Sequence, residues 1–90
     1  MRYNTLDETI AGMQSSDYKE RFIAEYYQTK IRMEKLRKFI RKIEAEDYVC
    51  EPVQHDCPFD LLKEQYKVMD NYLEILEIRA LIEKIDLETC

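Results

Sequence analysis

The side chains best suited to bind a ligand are tyrosines and cations that lie close together in the first third of the chain. The set comprises Tyr18, Tyr26 and Tyr27, with Lys19, Arg21, Lys30 and Arg32 nearby. An aromatic ring can stack on a base while Lys or Arg binds phosphate, so this combination suits a nucleotide. The tyrosines also recur at helical spacing, and spacing alone favours packing, with Tyr26 in a helix seam and Tyr27 in an interface.

A second group of chemically capable residues is Cys50, His55, Asp56 and Cys57. The C-x4-H-x-C spacing matches no common zinc module, and Asp56 or Cys90 would have to complete a ligand set. We expect no metal and no cofactor, which leaves a metal-linked helical module as the weakest alternative. A single histidine without a fixed carboxylate partner and a single glycine in the chain also speak against nucleophilic catalysis and a phosphate loop. We therefore expect no enzyme activity and no catalytic residue.

The element that must position the tyrosines is a long helix, predicted from about residue 17 to about residue 47. A 4–3 ladder along it consists of Phe22, Tyr26, Thr29, Met33, Leu36, Ile40 and Ile43. This spacing keeps one face of a helix against a partner helix. A second stripe, formed by Ile23, Tyr27 and Ile31, lies roughly 140–180° away. The helix therefore needs two partners, and we expect the second to be another subunit or a ligand.

The whole chain is predicted to be a single all-α domain over residues 1–90. A short helix at about 5–14 precedes a long antiparallel hairpin, whose helices span about 17–47 and about 58–85 and are joined by a loop at 48–57. The last helix also carries a second apolar face, made of Leu61, Val68, Tyr72, Ile75, Ile78 and Ile82. Ninety residues are close to the lower limit for a self-sufficient core, so we predict assembly into a helical homo-oligomer.

Charge is distributed unevenly along this chain. The net charge of −5 disfavours general DNA binding. Residues 30–42 nevertheless hold seven Lys or Arg and one acid, whereas residues from 60 onward hold eight acids and four bases. The basic stretch either pairs with the acidic helix or lines a pocket for a phosphorylated ligand. No signal peptide or membrane span is recognisable, so we expect a cytoplasmic protein with reduced cysteines.

Three stretches together resemble a family of small phage and prophage proteins. They are SSDYKERFIAEYYQTKIRMEKLRKFI (15–40), the Cys57-Pro58 step before LLKEQ (61–65), and MDNYLEILEIRALIEKIDL (69–87). The predicted shape resembles the phage anti-CBASS sponge proteins, which assemble as hexamers and sequester cyclic oligonucleotide immune signals. Related sponges sequester the ADP-ribose-derived signals of Thoeris systems.

This resemblance implies a phage-encoded anti-defence protein that binds a nucleotide second messenger between subunits and does not cleave it. It implies that Tyr18 stacks on a base and that Lys30 binds phosphate, with Arg32 and Lys35 nearby. The full predicted ligand-binding set is Tyr18, Arg21, Tyr27, Lys30, Arg32 and Lys35. The alternative is a helical interaction module that inhibits or scaffolds a host or phage protein by direct contact.

Overall fold

The computed structural model describes residues 3–88, and all their regular elements are helical. A 3₁₀ turn at Asp7–Thr9 leads into α1 (Ile10–Met13), which is followed by α2 (Tyr18–Val49) and α3 (Phe59–Glu83). The helices α2 and α3 pack as a hairpin, and the molecule measures 48 × 24 × 21 Å. The prediction of an all-α fold with a long helical hairpin is confirmed for this part of the chain.

The ends of the two long helices are set by local hydrogen bonds. The Asp17 carboxylate caps α2 by accepting a hydrogen bond from the Lys19 N–H at 3.0 Å. At the other end Cys50 adopts a left-handed conformation, with φ of 57°, and its N–H donates to the Glu46 carbonyl. Lys84 ends α3 in the same way, with φ of 58°. These caps fix both ends of α2 and the end of α3.

The core lies between α2 and α3 and divides into two clusters. The larger one lies at the end of the hairpin beside the N-terminal segment and the turn after α3. It contains Phe22, Ile23, Tyr26, Tyr27, Met33, Leu73, Leu76, Ala80 and Ile85. The smaller one, beside the interhelical loop, contains Ile40, Ile43 and Leu62. The 4–3 ladder predicted for α2 thus faces α3, with Thr29 and Leu36 half-buried and its other members buried.

The second apolar stripe of α2 is covered within the protomer. Ile23, Tyr27 and Ile31 are all buried, and Tyr27 has no exposed surface. The ring of Tyr3 packs edge-on against Tyr27 at 5.5 Å between centroids, and the Tyr27 hydroxyl donates a 2.5 Å hydrogen bond to the Leu87 carbonyl. The expectation that another subunit or a ligand contacts this stripe is therefore wrong, because the N-terminal segment and the turn after α3 occupy that side.

The N-terminal segment differs from the single helix expected over residues 5–14. It forms a 3₁₀ turn and a four-residue helix, although Thr5 and Glu8 make the side-chain contacts of a capping box. Close packing on α2 accounts for a glycine in α1, since a Cβ atom on Gly12 would lie 2.8 Å from the Ala24 Cβ. The segment is shaped by docking on α2 rather than by its own helical propensity.

The second face predicted for α3 is exposed to solvent along its whole length. We call it the outer stripe of α3: Leu61, Val68, Tyr72, Ile75, Ile78 and Ile82, of which Ile82 is the most exposed at 73%. The helix α3 packs on α2 alone among the described elements, so nothing in residues 3–88 covers this side. Across the described residues, neither long helix combines the length and hydropathy that a membrane span requires.

Gly12→Ala tests the docking of the N-terminal segment. We expect it to lower the free energy of unfolding by about 1–3 kcal/mol, because the added methyl group overpacks the contact with Ala24. Combining it with Ala24→Gly removes the clash, so the double variant should be more stable than the sum of the single changes predicts. Chemical denaturation measures all three variants, and strictly additive effects would show that this contact is not formed in solution.

Candidate functional site

The most suitable ligand site lies at the end of the hairpin that carries the N-terminal segment. We call it the proximal pocket, a cavity of about 270 Å³ lined by Met13, Tyr18, Arg21, Phe22, Glu25 and Arg79. It combines two aromatic rings with two guanidinium groups and one carboxylate. It brings together Tyr18 and Arg21 of the predicted set and adds Arg79, which lies on α3.

Arg79 is held in this pocket by three contacts of its own, and its two polar partners are joined to each other. One of its terminal nitrogens donates to the Tyr18 hydroxyl at 2.7 Å, and its Nε donates to Glu83 at 3.0 Å. The Tyr18 hydroxyl in turn donates to the other Glu83 carboxylate oxygen at 2.8 Å. The guanidinium carbon also lies 5.1 Å from the Phe22 ring centroid, within the range of a cation–π contact. These contacts fix the guanidinium at the pocket wall.

The Tyr18–Arg79–Glu83 network raises the pKa of Tyr18 and lowers the pKa of Glu83. The hydrogen bond to Glu83 raises the pKa of Tyr18, whereas the charge of Arg79 acts to lower it. The Tyr18 hydroxyl and the Arg79 guanidinium together lower the pKa of the Glu83 carboxyl group. At neutral pH the network therefore consists of a neutral phenol, a guanidinium and a carboxylate. Such a network can exchange its internal carboxylate for another anion, since all three groups lie at the surface.

Arg21 and Glu25 complete the pocket on the α2 side. One Arg21 terminal nitrogen donates to the Ser15 carbonyl at 2.9 Å, which orients the side chain towards the start of α2. Glu25 accepts a 2.9 Å hydrogen bond from the Tyr72 hydroxyl, and Tyr72 belongs to the outer stripe of α3. The proximal pocket and the outer stripe are therefore continuous on one side of the hairpin.

The structure distributes the remaining predicted ligand residues over several surfaces. Arg32 follows Arg21 on the same side of α2, roughly 16 Å further along the helix axis. Lys30 lies on the opposite side of α2, with its Nζ 5.7 Å from the Tyr26 ring centroid. Lys35 is exposed about 40° around the helix from Arg21 and roughly 21 Å further along its axis. Tyr27 is a core residue, so the prediction that it contacts a ligand is wrong for this protomer. Only Tyr18 and Arg21 share a cavity.

A cavity larger than the proximal pocket, beside the turn after α3, is less suitable for a phosphorylated ligand. It has a volume of about 540 Å³ and is lined by Tyr26, Glu77, Ala80, Leu81, Lys84, Ile85, Asp86, Leu87 and Glu88. Its three acids and one base would repel a polyanion. The Tyr26 hydroxyl donates to Glu77 at 2.6 Å, and burial together with that contact raises the pKa of Tyr26.

The cysteines and the histidine of the loop do not assemble with other ligands in the described structure. His55 Nδ1 lies 2.7 Å from the Cys57 carbonyl oxygen, and its ring packs edge-on against Phe39. Within residues 3–88 no three His, Cys, Asp or Glu side chains are arranged to hold a metal ion. Cys90, which was considered as a further ligand, lies outside the described residues.

A comparison with known protein families gives a match over the two long helices of the chain. The family model described as Sequestin matches residues 16–82, which include all of α2 and nearly all of α3. The chain belongs to the Sequestin family. The Sequestin match includes Tyr18, Arg21, Phe22 and Arg79, while Glu83 lies one residue beyond it. Neither the curated proteins nor the solved structures contain a match to this chain.

Sequence reasoning missed Arg79 and the pairing of Glu83 with Tyr18. Position 79 falls on the 4–3 ladder between Ile75 and Ile82, so an arginine interrupts an otherwise apolar stripe. A cation at such a position is the sequence signal that could have identified Arg79 as a site residue, because a charged residue in a helix seam has a specific partner or a specific function. The partner itself depends on how α3 aligns with α2, which the sequence alone does not give.

Glu83→Gln tests the network by titration. Removing the negative charge should lower the pKa of Tyr18 towards its ordinary value, because the protonated phenol loses its carboxylate acceptor while Arg79 still favours the phenolate. The measurement is a ¹³C NMR titration of the labelled tyrosine ring carbons. Glu25→Gln is the matched control, and it should shift Tyr72 but not Tyr18. An unchanged Tyr18 titration in Glu83→Gln would contradict the network.

Proposed function

We propose that this protein sequesters a nucleotide immune signal in the proximal pocket and does not cleave it. The name of the Sequestin family is compatible with sequestration of a molecule. The nature of that molecule is inferred from the pocket. It is a cyclic oligonucleotide or a cyclic ADP-ribose derivative, and the protein is a phage-encoded inhibitor that acts in the cytoplasm of the infected bacterium.

The observation that carries this proposal is the convergence of Tyr18, Arg21 and Arg79 on one cavity. Two guanidinium groups provide the planar, multiple donors that bind phosphate oxygens. The Tyr18 ring, which is 46% exposed, provides a face on which a base can stack. The phosphate displaces the Glu83 carboxylate from Arg79, and the released Tyr18 phenol turns towards the ligand.

A second copy of the chain covers the outer stripe of α3 and closes the pocket. The stripe residues Leu61, Val68, Tyr72, Ile75 and Ile82 lie at 4–3 spacing, which is typical of a helix–helix seam. The margins of the stripe carry both signs of charge, including Lys67 and Glu74, so two identical faces can pair their charges. Because the stripe is continuous with the pocket, the same association that buries Ile75 excludes water from Arg79.

The chemistry of this pocket favours binding over turnover. Its cations and aromatic rings suit binding, and its one carboxylate, Glu25, accepts a hydrogen bond from the Tyr72 hydroxyl. Cleavage of a phosphodiester needs an activated nucleophile or a free general base. Sequestration requires only that the protein is abundant and that it binds the signal more tightly than the host receptor does.

Ligand binding can be tested with a panel of cyclic dinucleotides, cyclic trinucleotides and cyclic ADP-ribose isomers. At least one should bind by calorimetry, and Arg79→Gln should weaken it by at least tenfold, since a charged hydrogen bond to phosphate is lost. Lys38→Gln is the charge-matched control on the exposed surface of α2 and should leave the affinity unchanged. The ligand should be recovered intact after the protein is denatured.

Two outcomes would contradict the proposal. If no ligand of the panel binds, the protein does not sequester these signals. If Arg79→Gln and Lys38→Gln weaken binding equally, the loss reflects the general charge of the protein and the proximal pocket is not the site.

Co-purified nucleotide would be readily visible near 260 nm, since the chain contains no tryptophan.

Association through the outer stripe predicts a specific change of mass. Ile75→Asp should convert the oligomer to an 11.0 kDa monomer, because it places a charge in the seam while the protomer core is untouched. Val49→Asp is the matched control, since Val49 is equally exposed but lies away from the stripe. Analytical ultracentrifugation measures both variants. A wild-type protein that is already an 11.0 kDa monomer at micromolar concentration would refute the interface.

The second candidate function is a protein-interaction module, and the exposure of the outer stripe favours it. In that case the stripe binds a host or phage protein instead of another copy. The wild-type chain would then be monomeric by itself, the nucleotide panel would give no heat, and Ile75→Asp would abolish capture of the partner protein.

A further inference from the structure

A second cationic cleft lies at the opposite end of the hairpin from the proximal pocket. We call it the distal cleft, a cavity of about 210 Å³ lined by Arg37, Ile40, Arg41, Glu44, Lys63 and Tyr66. Three of its six residues are cations and one is an acid. Of the seven bases between residues 30 and 42, Arg37 and Arg41 are therefore the two that meet a cation from α3 in this cavity.

The geometry of α2 directs these two arginines into the cleft together. Residues four apart lie on the same side of a helix, about 6 Å apart along its axis. Lys63 and Tyr66 approach from the facing side of α3, and Tyr66 is half-buried against Ile40 and its neighbours. The arrangement places two guanidinium groups, an ammonium group and a phenol around one small space.

The groups in the distal cleft are available to a ligand. Among residues 3–88, Arg37 makes no ion pair and the Tyr66 hydroxyl makes no hydrogen bond. Arg41 pairs with Glu44 at 3.1 Å, but its side chain is 71% exposed, so this contact is weak and exchangeable. Lys63 lies 3.8 Å from an almost fully exposed Asp60 and 4.6 Å from the Phe59 ring centroid. The stacking on Phe59 holds its ammonium group near the cleft.

We infer that the distal cleft is a separate anion-binding site, which accepts a phosphate group or a short polyphosphate. Two arginines suit the tetrahedral oxygens of phosphate, and the Tyr66 phenol is a further donor. The cavity has a volume of about 210 Å³, which suits a single phosphate or pyrophosphate group. It therefore takes the charged group and leaves the remainder of the ligand outside. This inference does not depend on ligand binding in the proximal pocket.

The test uses inorganic pyrophosphate as the probe. We expect saturable shifts of the Arg37 and Arg41 side-chain Nε–H signals in ¹H–¹⁵N NMR spectra of the wild-type protein. The double variant Arg37→Gln/Arg41→Gln should bind pyrophosphate at least tenfold more weakly, and Tyr66→Phe should weaken it several-fold. ADP is a second probe: tighter binding than pyrophosphate assigns the site to nucleotides, and equal binding assigns it to free phosphate.

The matched control is Lys35→Gln/Lys42→Gln, which removes the same charge from α2 but lies about 100–160° around the helix from the two arginines. It should retain pyrophosphate binding. Equal weakening in the two double variants, or the same shifts with sodium chloride at matched ionic strength, would reduce the effect to general charge and overturn the site. The absence of saturable shifts would also overturn it. Because Arg79→Gln leaves the distal cleft intact, failure here is distinguishable from failure of the proximal pocket.

Discussion

The structure depends on the complete burial of Tyr27 in the first third of α2. A helix of 32 residues with apolar side chains on two sides is unstable beside a single partner, because one side would remain in water. Tyr27 is enclosed by Tyr3 from the N-terminal segment, and its hydroxyl group is bound by the Leu87 carbonyl from the turn after α3. Both ends of the chain are thus held against the same stretch of α2, and this brings Tyr18, Arg21 and Arg79 into one pocket.

Within residues 3–88 the same arrangement leaves α3 with a single partner, α2. The N-terminal segment covers α2 and makes no comparable contact with α3, so the outer stripe faces solvent over a run of Leu, Val, Tyr and Ile residues. A contiguous stripe of this kind on a small domain indicates an interaction surface. The sequence pattern indicates two apolar faces on α2 and two on α3. Which of these four faces stays uncovered is decided by the packing of the N-terminal segment and of the turn after α3.

The helices and the residues facing the hairpin core were predictable because both follow from periodicity. The 4–3 ladder from Phe22 to Ile43 has one consistent direction, and neither long helix contains an internal proline or glycine. The site was predictable only in part. Tyr18 and Arg21 were found because aromatic and cationic residues adjoin in sequence, whereas Arg79 reaches Tyr18 across 61 residues of chain. Tyr27 was wrongly assigned to an interface or a ligand. An apolar stripe covered by another subunit has the same residue spacing as one covered by segments of its own chain.

The internal pairing of Arg79 also constrains which ligands the proximal pocket can hold. Glu83 already supplies Arg79 and Tyr18 with a carboxylate at hydrogen-bonding distance, so a ligand gains only the difference between its own anion and that carboxylate. A monocarboxylate offers no such gain. A phosphate diester does offer a gain in binding free energy, because its ester also engages Arg21 and its base stacks on Tyr18. This gain increases when a second copy excludes water from the surface groups. Under the proposed function, association and binding are therefore coupled: each favours the state in which Arg79 exchanges Glu83 for the ligand, and the coupling is equal in both directions.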